Sequence, residues 1–314
     1  MKLQTQIPLQ KSVNQIAYKS HLLILGSCFS EHIGAKFEHF KFQSLQNPFG
    51  ILFHPKAIEN LIERSVSSTL YSEKEVFFQN ERWHCFDAHS VLSDTSKDAL
   101  LLKLNKGLEA SKKRIKEASH IIITLGTAWV YRKVENERIV SNCHKIPQSE
   151  FKKELLSVYE VINCLKNCIQ QIRKINKNVA IVFTVSPVRH LKDGFVENQK
   201  SKAHLIAAIH EIIEQDSALY FPSYEIMMDE LRDYRFYETD MVHPNQLAVD
   251  YIWLKFKKAW ISNTAFSSME KVEEVQKGLQ HRPFNEQSEQ HQKFIKTLEK
   301  KITYLQQEYP FMKF

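Results

Sequence analysis

Two short stretches carry residue types that could do covalent chemistry together. The first is Gly26-Ser27-Cys28-Phe29-Ser30, where a hydroxyl and a thiol follow directly on an apolar run. If that run is a strand and a helix begins here, both groups lie near a helix N-terminus. There the dipole and free N–H groups lower a thiol's pKa and stabilise an oxyanion. The same residues could serve structure alone, with Ser27 or Ser30 capping the helix and Cys28 packing as a small hydrophobe. The second stretch is Asp240-Met241-Val242-His243-Pro244-Asn245. A carboxylate three residues from an imidazole fixes its tautomer and stabilises its protonated form, which a general base requires. Pro244 is expected in the first turn of the following helix, holding His243 at its entrance.

The elements that must position these groups follow from hydrophobic patterning. His21 to Leu25, Ile121 to Leu125 and Val179 to Val185 are apolar on both faces, as buried parallel strands are. Ala218 to Phe221 reads as a short fourth strand. Helices are expected over Ser30–Phe40, Pro55–Ser65, Ser96–Ala118, Ser149–Ile175 and Asn198–Gln215, with a mostly helical chain beyond Pro244. Val76–Gln79 with Arg82–Phe86, and Ala128–Val134 with Arg138–Val140, read as two inserted hairpins. Alternating strands and long helices predict an α/β protein with a parallel sheet. Ligands of such sheets sit at the carboxyl ends of the strands. That rule selects Gly26–Ser30, Gly126-Thr127-Ala128-Trp129, Ser186-Pro187-Val188-Arg189-His190 and the loop from Asp240 to Asn245. Phe294, Leu298, Ile302 and Leu305 form an apolar stripe on a terminal helix, expected to fold back on its own domain.

The 314 residues are 43% hydrophobic and 25% charged, an ordinary globular composition that excludes disorder as the main state. No apolar run approaches the roughly 18 residues of a membrane helix. The N-terminus lacks the apolar core and cleavage site of a secretory signal. Five cysteines, at 28, 85, 143, 164 and 168, have no disulfide-framework spacing, so a reducing cytoplasm is expected. The net charge of +7 is spread over helix faces without aromatic interleaving, which argues against a nucleic-acid partner. Cys85, Asp87 and His89, beside His84, would share a strand face and could ligate zinc, and Cys164 and Cys168 lie one helical turn apart. Neither group has a four-ligand spacing, and hairpin polar residues and buried helix thiols account for them. A papain-like protease would need a distant Asn, whereas His243 and Asn245 are two positions apart.

Gly26-Ser27-Cys28-Phe29-Ser30 resembles the signature of the GSCFA domain. Asn47-Pro48-Phe49-Gly50-Ile51-Leu52, Leu125-Gly126-Thr127-Ala128-Trp129, Ser186-Pro187-Val188-Arg189-His190 and His281-Arg282-Pro283-Phe284 resemble further segments of that family, which is mostly bacterial. The resemblance implies membership of the SGNH/GDSL-type hydrolases, a three-layer flavodoxin-like fold, and esterase, lipase or acyltransferase chemistry. The family's Gly-Asp-Ser-Leu block places the nucleophile slot on Cys28, with Ser27 the other candidate if the chain bends differently. Its second block puts an oxyanion Gly on Gly50, in the segment that begins at Asn47. Its last block, Asp-x-x-His, falls on Asp240 and His243. The Gly-x-Asn block is departed from: Gly126-Thr127-Ala128 lacks the Asn amide, and Thr127, the backbone near Trp129, or Arg189 would have to replace it. The expectation is therefore an acyl-ester hydrolase or acyltransferase acting on a small-molecule or glycan ester. It would carry an SGNH-like domain over 1–262 and a helical extension over 263–314 packed on the same domain, with no cofactor and no membrane or nucleic-acid partner. The competing expectation is a binding module that keeps the scaffold without the reaction.

Overall fold

The computed structural model describes residues 4–215 and 218–314. Its strands are β1 (His21–Gly26), β2 (Gln43–Gln46), β3 (Val76–Gln79), β4 (Arg82–Cys85), β5 (His120–Leu125), β6 (Trp129–Lys133), β7 (Ile139–Val140), β8 (Phe151–Leu155), β9 (Ala180–Val185) and β10 (Leu219–Tyr220). Its helices are α1 (Cys28–His39), α2 (Pro55–Ser67), α3 (Lys97–Glu117), α4 (Val158–Ile175), α5 (Phe195–Ile213), the single turn α6 (Ser223–Glu225), α7 (Gln246–Trp260), α8 (Asn263–Gln280) and α9 (Glu289–Glu308).

Five strands make one parallel sheet in the order β10-β9-β5-β1-β2. In-register pairing sets Leu23 beside Ile121 and Ile121 beside Ile181. Because side chains alternate across a strand, this register sorts the apolar residues cleanly between the faces. Leu23, Leu25, Ile121, Ile123, Ile181 and Phe183 join one core with α2, α3, α4 and α5. Leu22, Ile24, Ile122 and Val182 join the opposite core with α1, α7, α8 and α9. Helices thus cover both faces, which is why the strands are continuous apolar runs.

Three local expectations need correction. Residues 151–155, expected as the start of a helix from Ser149, form β8 and pair antiparallel with β6. The helix begins only at Val158 because Ser157 and Glu160 make a capping box there, with Ser157 Oγ accepting from the Glu160 N–H at 3.2 Å. The second hairpin is consequently a three-stranded sheet, β7-β6-β8. Pro244 lies outside α7, whose N-cap is Asn245: its Oδ1 accepts from the Ala248 N–H at 3.1 Å. An edge strand, β2, also escapes the patterning because its four residues, Gln-Ser-Leu-Gln, are only half-buried.

The terminal stripe folds inward, with Leu298 and Leu305 buried in the same core as Phe37 of α1 and Trp253 of α7. His39 Nε2 also meets Glu273 Oε2 of α8 at 2.6 Å. Among the described residues no helix is long and apolar enough to cross a membrane.

Candidate functional site

β1 stops at Gly26, whose φ of +128° sends the chain sharply into α1. The Gly26 N–H donates to Asn47 Oδ1 at 2.9 Å and its carbonyl accepts from the Leu52 N–H at 2.9 Å, so the turn is held on both sides. Ser27 occupies the N-cap but its side chain makes no cap bond; it is fully buried, and its Oγ has no partner. Ser30 Oγ bonds back to the Leu25 carbonyl at 2.9 Å. Cys28, the first helical residue, is half-buried. Of the two nucleophile candidates, the thiol is therefore the one with solvent access. Burial pushes the Cys28 thiol up from its ordinary pKa, as does the Glu31 carboxylate, against the pull of the Lys202 ammonium and the N–H groups of Phe29 and Cys28.

The loop from Glu238 to Asn245 is built around Asp240. One carboxylate oxygen accepts from the N–H groups of Val242 (2.8 Å) and His243 (3.0 Å), and the other meets His243 Nδ1 at 2.6 Å. Asp240 is thus both the turn residue and the orienter of the ring. Those N–H groups and the imidazole hold its carboxyl at about 2. Among the described residues His243 Nε2 has no partner, and no hydrogen bond joins it to the Cys28 sulfur. Arg189 ties this loop to the end of β9. Its guanidinium donates to the Met241 carbonyl, stacks over Tyr237 at 4.3 Å from the ring centre, and its backbone N–H bonds the Val242 carbonyl at 3.3 Å. It holds the loop in place.

Between these two stretches lie further groups, of which Lys202 and His32 were not singled out from the sequence. Lys202 of α5 is completely buried, and its Nζ donates to the carbonyls of Gly126 (2.7 Å) and Ser186 (2.8 Å) at the ends of β5 and β9. Burial pulls its pKa down to about 7, against the Cys28 thiolate, which favours the charged form. The signal was available: buried Asn198, Ser201, Lys202, Leu205, Ala208, Ile209 and Ile212 follow one helical stripe, and a lysine at such a position is rarely idle. His190 stands alongside, held by its N–H to Asn198 Oδ1 at 2.9 Å, with a buried and unpartnered Nε2. Burial, with Lys202 and His243 adding, drives its pKa down to about 3, so its ring is neutral. Gly126 is where these walls meet: a Cβ there would lie 3.0 Å from the Phe53 carbonyl and 3.3 Å from both His190 Nε2 and the Ser27 Cβ. His32, one turn along α1 from Cys28, is kept low by burial and feels the charge of His243. Replacing Lys202 with Met is expected to raise the Cys28 pKa further and leave less thiolate at a given pH, because the ammonium that favours the thiolate is gone. The pH profile of iodoacetamide alkylation would report this, and an unmoved profile would separate the two groups.

The remaining candidates divide by whether their donors are free. The Gly50 N–H is spent on the Asn47 carbonyl at 2.7 Å. The N–H groups of Gly126 and Thr127 both bond the Phe53 carbonyl, at 2.8 and 3.1 Å, and Thr127 Oγ1 is shared between Ser201 Oγ and the Trp129 N–H. Asn47 differs: its Oδ1 is fixed by Gly26, while its Nδ2 is buried with no partner. It supplies a free amide donor beside the turn that delivers Cys28. The zinc candidates are dispersed into other bonds. His84 bonds Ser93 Oγ (2.6 Å) and the Gln79 carbonyl (2.9 Å), Asp87 pairs with Arg138 at 2.5 Å, and His89 caps a short helical turn. Cys164 and Cys168 are buried on α4. A cleft of about 720 Å³ is lined by Thr127 and His190 and walled by Phe53, Trp129 and Tyr131.

The GSCFA family profile matches residues 21–256, and that of the GSCFA domain protein C-terminal domain matches residues 272–314. The first match covers most of the chain, and the chain belongs to the GSCFA family. No curated protein matches it.

Proposed function

For this member of the GSCFA family, we propose acyl-ester chemistry on an SGNH-type scaffold, with Cys28 as nucleophile, His243 as base and Asp240 as the residue that orients the ring. The observation that carries this reading is the half-buried thiol at the start of α1, within the electrostatic reach of the buried Lys202, together with the hydrogen-bonded Asp240–His243 pair. The sulfur attacks the ester carbonyl and its proton passes to His243 Nε2. The carbonyl oxygen becomes an oxyanion held by Asn47 Nδ2 and the N–H of Cys28. The C–O bond then breaks, His243 returns the proton to the departing alcohol, and a thioester remains on Cys28. Water or a second hydroxyl resolves the thioester, which gives hydrolysis or transfer. Asn47 here supplies the amide that the third block lacks. None of the five cysteines is paired, which suits a reducing compartment, and we place the protein in the cytoplasm of a bacterium.

The second reading, a binding module that has lost its reaction, draws support from the missing bond between the sulfur and the imidazole. Incubation with 4-nitrophenyl acetate and an acetyl thioester, followed by intact mass and peptide mapping, decides between them. One acyl group on Cys28, absent in Cys28→Ala, is the expected result. An adduct on Ser27 moves the nucleophile there. No adduct and no turnover with either ester leaves the binding module.

A further inference from the structure

Resting on the acyl-ester reading, we infer that the cleft beside His190 receives the alcohol or acceptor side of the substrate, that this side is an uncharged, hydroxyl-bearing ring, and that His190 Nε2 hydrogen-bonds it. The cleft, at about 720 Å³, is of the size that holds a small ligand, and Thr127 and His190 in its lining adjoin Gly126, which lies against Ser27. Its walls are aromatic. Trp129 is fixed in orientation, with its indole N–H bonded to the Glu197 carbonyl at 3.2 Å and its backbone N–H to Thr127 Oγ1 at 3.0 Å. Phe53 meets the His190 ring edge-on with centres 5.9 Å apart.

The two interior histidines are occupied by their own hydrogen bonds. His54 Nδ1 accepts from the Ala57 N–H at 3.1 Å, so that nitrogen carries no proton, and its Nε2 bonds the Val140 carbonyl at 3.1 Å. His144 is likewise occupied on both nitrogens, by Ser90 Oγ at 3.0 Å and the Cys85 carbonyl at 2.8 Å. A phosphate or carboxylate entering the cleft would need a cation inside it. The one buried nearby, Lys202, lies behind the strand ends with its protons given to Gly126 and Ser186. Asp193 at the rim is paired with Lys153, and Lys145 and Lys192 are exposed there.

Among the groups lining the cleft, beside the exposed Lys145 and Lys192, His190 is the exception, because its buried Nε2 has no partner among the described residues. A buried polar atom without a partner is costly, and a ligand hydroxyl would supply what it lacks. Flat aromatic walls with a neutral hydrogen-bonding group suit a ring that is apolar on its faces and hydroxylated at its edge.

Binding is measured on the Cys28→Ala protein, so that it is read whether or not the thiol reacts. The probes are phenyl β-D-glucoside and phenyl phosphate, titrated against tryptophan fluorescence, with Trp129→Phe to assign the signal. The expected result is saturable quenching by the glucoside at least tenfold tighter than by the phosphate. His190→Leu should weaken the glucoside about tenfold and His190→Gln should recover most of it, both with unchanged near-UV circular dichroism. Equal or tighter phosphate binding, no saturable signal from the glucoside, or a neutral His190→Leu overturns the inference. Failure of Cys28 acylation alongside intact glucoside binding would sink only the chemistry.

Discussion

His243→Ala is expected to slow acyl turnover between about 100- and 10,000-fold, the range a positioned general base contributes. The size of the effect follows from the state of the thiol. Burial holds the Cys28 sulfur protonated, so without an acceptor for its proton little nucleophile forms at neutral pH. Asp240 separates into two roles that different substitutions isolate. Asp240→Asn keeps an oxygen for the Val242 and His243 N–H groups, and so keeps the loop, but removes the charge facing the ring. Asp240→Ala removes both. The expected order of kcat is wild type, then Asp240→Asn, then Asp240→Ala close to His243→Ala, with KM changing little and melting temperatures within a few degrees. Turnover within about threefold of wild type in His243→Ala would take the imidazole out of the reaction.

Gly26→Ala is expected to cost more stability than any other single methyl in the sheet. The added Cβ would lie 2.1 Å from the Thr124 carbonyl oxygen, and the φ of +128° is one that side-chain-bearing residues rarely adopt. Both partners in that clash are backbone, and Gly26 pairs with Thr124 in the central β1–β5 ladder, so relief means breaking strand register. A loss above about 4 kcal/mol is expected, in the range reserved for identifiable backbone or core failures. Gly126→Ala provides the comparison: its nearest neighbours at 3.0 to 3.3 Å need only give by a few tenths of an ångström, and about 1 kcal/mol is expected. Urea unfolding midpoints of the two variants test this, and equal midpoints would refute the steric argument.

Much of the frame was legible in the sequence because its strands are apolar on both faces. A run such as His21–Leu25 has one stable use, the middle of a covered parallel sheet, and the strand-end rule then selects the candidate site. The Asp240–His243 pair was legible for the same local reason, since a three-residue spacing closes on itself in a loop. Residues 151–155 were not legible, because Phe-Lys-Lys-Glu-Leu adjoins a true amphipathic helix and only the capping box marks the boundary. Which of the oxyanion candidates has a free donor was not legible either. Whether Gly50 or Asn47 has a free N–H depends on where the loop spends its hydrogen bonds, and composition does not record that. Lys202 was passed over differently: only its place on the apolar stripe of α5 marks it, and it reads as an ordinary polar residue until the fold buries it.

The protonated condition of the sulfur has a bearing on how long the molecule lasts. Peroxide and stray electrophiles consume thiolates far faster than thiols, so a cysteine that ionises only when a base takes its proton is spared between encounters. The same burial that makes Cys28 dependent on an imidazole therefore acts as a preservative. Such a protein would survive oxidative stress with its sulfur intact and reserve its reactivity for whatever fills the cleft.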